Sequence, residues 1–86
     1  MNHEFIEQQI ESIKSDLVFH EQTLKENEVT LAGLEVLEEA NNSPTVQRLL
    51  KEAVEQVKWY QSRIMHDHNM LDVLYSARDL TNNSPK

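Results

Sequence analysis

Apolar side chains return at alternating steps of four and three along the first half of the chain. The series runs Ile6, Ile10, Ile13, Leu17, His20, Leu24, Asn27, Leu31 and Leu34. Such spacing lays one stripe along a helix, and its 3.5-residue average is the heptad seam of a coiled coil, with Ile10, Leu17, Leu24 and Leu31 in the a positions. The second half repeats the rule with Leu50, Ala53, Val57, Tyr60, Ile64, Asp67, Leu71, Leu74 and Arg78. Two seams, each about five heptads long, predict two long helices and no strands.

The tetrapeptide NNSP stands between the seams at 41–44 and again at 82–85. Asn41 and Asn42 are poor helix formers that tolerate the left-handed conformation which ends many helices. Ser43 is a strong N-cap, and Pro44 suits the first helical position, where its missing N–H costs nothing. The first copy therefore ends helix one and starts helix two. The flanks of the two copies do not match (Leu17 would fall on Lys58 and Leu31 on Asp72), so both are read as helix boundaries and not as a duplication. The reading is one domain over 1–86: helix one about 2–40, a turn at 41–44, helix two about 44–80 and a disordered tail at 81–86. Gly33 lies inside the first helix; apolar positions continue on both sides of it, so the helix is expected to run through.

So short a turn makes the helices antiparallel neighbours. Ile10 and Ile13 are then expected opposite Leu71 and Leu74, Leu24 opposite Tyr60 or Ile64, and Leu31 and Leu34 opposite Ala53, Val57 and Leu50. The same register brings the polar interruptions together. His20 falls beside Asp67, and Asn27 falls near Tyr60 or Val57. Polar groups buried in a seam are costly unless paired, and their best-attested use is to fix register. His20, Asp67 and Asn27 are the candidate register-setting residues.

Both helices carry more apolar residues than one seam uses. On helix two a second line runs Trp59, Arg63, His66, Met70, Val73, Ala77; helix one has a fainter one in Val18, Val29, Ala32 and Val36, with Phe19 beside it. A two-helix hairpin buries one stripe on each helix, so the rest call for another contact. Trp59, Arg63, His66, Met70, Val73, Phe19, Val29 and Val36 form the candidate oligomer or partner face, with Trp59 as its anchor. The expected fold is an all-α antiparallel hairpin assembled into a homodimeric four-helix bundle or a larger oligomer.

Composition narrows the function. The 86 residues include no cysteine, which removes disulfides, cysteine–zinc sites and thiol chemistry, and fits a reducing cytoplasm. No apolar run is long enough to span a bilayer, and the N-terminal stretch does not read as a signal peptide. The net charge is −7 and uneven: residues 1–40 hold ten acidic and two basic side chains, residues 41–86 five and six. An acidic half disfavours direct binding to nucleic acid or to an anionic membrane. Glu7, Glu21, Glu28 and Glu35 share one heptad position and make an acidic face.

Candidate chemistry is sparse. In the triplet His66-Asp67-His68 the two histidines point about 200° apart and cannot chelate one ion together. A site would need His20, Asp67 and one flanking histidine across the hairpin. No nucleophile–base motif, glycine-rich phosphate loop or paired-carboxylate cleft is present, so no catalytic, cofactor or metal residues are expected. The leading reading is a non-enzymatic protein–protein interaction module: a small regulator, inhibitor or adaptor acting through helix faces on itself and on a protein partner. One alternative is an acidic nucleic-acid mimic, of the kind small phage or mobile-element inhibitors use against nucleic-acid-binding proteins. Another is an oligomer that holds a small ligand or nucleotide in pockets between subunits.

Overall fold

The computed structural model describes residues 3–82. Helix α1 spans His3–Ala40 and helix α2 spans Pro44–Asn82, and no strand occurs among the described residues. The two helices lie side by side as a rod of 68 × 14 × 14 Å. Its radius of gyration is 19.3 Å, against about 12 Å for a compact domain of this length.

The turn follows from its sequence. Ser43 Oγ accepts from the Val46 backbone N–H at 3.2 Å, the N-cap bond, and the Gln47 N–H closes the first helical turn on the Ser43 carbonyl at 3.0 Å. Neither asparagine adopts the left-handed conformation. Instead Asn41 N–H bonds back to the Leu37 carbonyl at 2.8 Å, and Ser43 N–H reaches the Asn41 carbonyl at 3.0 Å. The chain reverses in three residues without the left-handed cap. Gln47 Nε2 ties the corner, donating to Glu38 Oε2 at 2.7 Å and to Asn42 Oδ1.

Helix α2 continues two residues past the expected end, through Thr81 and Asn82. The Thr81 hydroxyl bonds the Ala77 carbonyl at 2.9 Å. Proline restricts the residue before it and clashes with the carbonyl four residues back only in a helix that continues to it, so the sequence does not bar Thr81 and Asn82 from the helix. The remainder of the second NNSP lies outside the described residues. Gly33 sits in unbroken helix, and nothing comes within 4 Å of where its Cβ would stand.

The core is thin. Ile6, Ile10, Val46, Ala53, Val57 and Leu71 are the buried apolar side chains. Ile13, Leu17, Leu74, Tyr75 and Ala77 pack against the Ile6–Ile10–Leu71 cluster, joining the ends of the two seams as the register requires. Three contacts between the helices fix that register independently: His20 with Asp67, Glu7 with Arg78, and Glu38 with Gln47. The total accessible surface is 6408 Å², about 1,100 Å² above that of a compact 10.1 kDa monomer. Neither helix is long and apolar enough to cross a membrane.

Candidate interaction surface

A polar pair interrupts the seam at mid-length. Asp67 is 1 % exposed, and its Oδ2 accepts a hydrogen bond from His20 Nδ1 at 2.7 Å. With Asp67 as a carboxylate, which only accepts, the hydrogen bond assigns the donor proton to His20 Nδ1. Asp67 Oδ1 is buried with no hydrogen-bond partner. Burying a carboxylate is tolerable when a partner holds it, and only one of the two oxygens here is held. The pair resists sliding, because a one-residue slip would separate a 2.7 Å contact inside an apolar seam.

Asn27 does not join that network. Its Nδ2 donates to the Thr23 carbonyl of its own helix at 2.9 Å. A half-buried asparagine meets its need through the carbonyl four residues back, with no demand on the other helix. The recorded contact therefore gives Asn27 no register-setting role. His66 and His68 are both exposed, on either side of buried Asp67, and no three potential ligands gather into a metal site among the described residues.

An aromatic group covers the His20 edge of the pair. The His20 ring lies 5.7 Å from Phe19, 5.9 Å from Tyr60 and 6.3 Å from Trp59, and Trp59 meets Tyr60 edge-on at 4.8 Å. Trp59 remains 53 % exposed and Phe19 60 % exposed. Beside Trp59, the side chains of Ser62, Arg63 and His66 line a shallow open depression. Tyr60, read in the sequence only as a seam residue, is the link between the seam and this surface.

Helical angles sort the remaining candidates. At 100° per residue, Phe19 and Trp59 both lie beyond the seam on the side of His20 and Asp67, and antiparallel packing puts these two flanks on the same broad side of the hairpin. Met70, Val73 and Ala77 continue this side along α2, and Leu37 and Leu49 extend it toward the turn. Its charged residues are Asp16, Glu26, Glu52 and Arg63. Val29 and Val36 do not belong to it. Each stands two residues from a seam position, about 160° away, so they line the outer edge of α1 and are 73 % and 68 % exposed. The expected partner face therefore divides into a broad side centred on Phe19 and Trp59 and a separate edge.

The opposite broad side carries the charge. Glu7, Glu21, Glu28 and Glu35 run along it next to α2, but cations interrupt them. Lys14 occupies the same heptad position, between Glu7 and Glu21, and pairs with Glu11 at 3.9 Å. Arg78 reaches Glu7 at 3.3 Å. Lys51 and Lys58 line one open cleft with Glu35 and Glu38, and Lys25 lines another with Glu21 and Glu28. Leu31 and Leu50 also line the first of these clefts, and Leu24 and Ile64 the second. The Lys14–Glu11 pair is solvent-exposed and contributes little to stability, whereas the Arg78–Glu7 pair is half-buried. Val18 and Met65 are the exposed apolar exceptions on this side.

The chain matches no family model, no curated protein and no solved structure.

Proposed function

We propose that this chain is a non-enzymatic protein–protein interaction module, a small regulator, inhibitor or adaptor of the cytoplasm that works as a homo-oligomer of hairpins. The observation that carries this reading is a tryptophan left 53 % exposed within an aromatic group on a broad, charge-poor side of the rod. Tryptophan anchors interfaces because it presents a large rigid apolar area and loses little side-chain entropy on binding. The thin core supports the same reading, since a rod with so few buried side chains gains stability by covering more of its surface. The acidic-mimic alternative draws less support, because Lys14, Lys51 and Lys58 break up the line of carboxylates.

The test combines light scattering of the purified chain over a range of concentrations with affinity capture from the native cell, wild type and Trp59→Ala in parallel. Trp59→Ala is expected to lower the measured mass and to lose captured protein, with helicity unchanged. A wild-type monomer at every concentration, together with the same captured proteins from both forms, refutes the reading. Capture that weakens with salt and ignores Trp59 points to the acidic side instead.

A further inference from the structure

The arrangement of the oligomer can be carried further, resting on the reading just given. We propose that a second copy of the chain docks on the Phe19–Trp59 side with both turns at the same end of the bundle, so that α1 of each copy lies against α2 of the other.

Area supports a second copy on this side. The broad side is 14 Å across, and α2 with its 39 residues is about 58 Å long, giving a footprint of roughly 800 Å². That footprint is comparable to the roughly 800 Å² that each partner buries in an ordinary stable interface. The excess surface of the rod, about 1,100 Å² over a compact monomer, is sufficient to supply it. The carboxylates of the opposite side remain in water, so no line of like charge has to be buried.

Charge selects the direction. Helix α1 holds ten acidic side chains against Lys14 and Lys25, a net of −8, whereas α2 holds five acidic and five basic, a net of zero. Two hairpins meeting face to face have two symmetric choices. A two-fold axis across the rod puts α1 beside α1 and α2 beside α2, with turns at opposite ends. It brings together the two α1 flanks, whose charged side chains on this side are the acids Asp16 and Glu26. With full overlap it sets Asp16 of one copy near Glu26 of the other, and Arg63 opposite its own counterpart. Like charges meeting across an interface are strongly disfavoured. An axis along the rod instead pairs α1 with the neutral α2 of the second copy.

Register agrees with that second choice. Rotation about the long axis preserves height, so residues that face each other between copies follow the rule seen within one hairpin, where partner numbers add to between 85 and 87. Leu37 then meets Leu49 of the second copy near the turn, and Phe19 meets His66 beside Arg63. Glu26 lies level with Trp59, within a helical turn of Arg63. An acidic residue of α1 thus approaches a cation where the other arrangement gives it an acid.

The chain has no cysteine, so Asn41→Cys places a single spin label in the turn, at an exposed residue whose recorded hydrogen bonds are made by its backbone. Dipolar distances between labels in the assembled protein separate the arrangements. Turns at one end give about 20–30 Å, two helix layers plus the label arms. Turns at opposite ends give about 60 Å, the length of a helix. The short distance is expected, and Trp59→Ala in the labelled chain is expected to weaken association by about 30-fold or more with circular dichroism unchanged. A distance near 60 Å overturns the arrangement and leaves the oligomer reading standing. A short distance together with association as tight in Trp59→Ala as in the wild type overturns the choice of side. No distance between copies, with a monomeric mass at the same concentration, overturns the arrangement and the oligomer reading together.

Discussion

The His20–Asp67 pair offers a perturbation whose size follows from burial. His20→Leu keeps most of the volume that packs near Tyr60 and Trp59 and removes only the donor. It leaves Asp67, at 1 % exposure, with neither oxygen bonded, because Oδ1 already lacks a partner. Removing one member of a buried pair costs about 3–5 kcal/mol. A domain of 86 residues has a total stability of roughly 4–13 kcal/mol, so this one change threatens the fold. Asp67→Leu should cost far less. The side chain it orphans is a histidine that is 12 % exposed, and imidazole carries no obligatory charge. The double variant removes the desolvated carboxylate and its partner together. Replacing both with leucine is expected to be neutral or stabilising by about 1–4 kcal/mol.

The assay is urea unfolding followed by circular dichroism at one fixed protein concentration, since association shifts apparent stability. His20→Leu should lower the urea midpoint by at least about 1 M with an unchanged slope. The double variant should recover the midpoint or exceed it. The asymmetry between the single variants is the informative result. If His20→Leu costs under about 1 kcal/mol, Asp67 is not the buried carboxylate that the 2.7 Å contact implies, and the account of the seam fails.

Two further outcomes follow from local geometry. At concentrations where the chain is monomeric, Gly33→Ala should raise the melting temperature by a few degrees, because nothing of the chain lies within 4 Å of the added carbon and alanine recovers up to about 1 kcal/mol in a helix; Gly33 shares the heptad position of Phe19, so a gain that shrinks or reverses on assembly would mean that the second copy approaches the α1 backbone there. Asn27→Leu should stabilise the hairpin with its register unchanged, since the side chain bonds only within α1; loss of a single defined state, read as broadened amide resonances, would restore Asn27 to a register-setting role.

Much of the fold was legible because the alternation of four and three survives its polar interruptions, and because a three-residue turn leaves one register open. His20 and Asp67 could be paired from residue numbers alone, and the structure holds them at 2.7 Å. Asn27 could not be resolved in this way. A seam asparagine can bond across the interface or to the carbonyl four residues back, and both choices fit the same spacing. Val46 is buried at the start of α2, four residues before Leu50, so the second seam began one step earlier than expected. The separation of Val29 and Val36 from the Trp59 side was present in the sequence as a two-residue offset from the seam. It emerges only when angles around both helices are measured from their shared contact. The end of α2 lies two residues beyond the expected one for a different reason: Asn82 has low helix propensity, but the Thr81 hydroxyl bonds the Ala77 carbonyl in the last turn.

The position of the polar pair links the inside of the rod to its candidate surface. His20 and Asp67 both occupy the flank of the seam nearest Phe19 and Trp59, so those rings screen the imidazole while the charged side lies behind the apolar stripe. Covering Trp59 would withdraw the remaining exposure of His20 and lower the dielectric around the bond. A hydrogen bond to a carboxylate strengthens there, and the penalty for breaking it rises with it. In the proposed assembly, docking and register then reinforce each other. A hairpin slipped out of register presents a displaced tryptophan to its partner, and an undocked hairpin holds its pair less tightly. A polar residue that weakens an isolated two-helix rod therefore becomes a selective feature of the assembled one, because the in-register hairpin is the form that offers the complete apolar side.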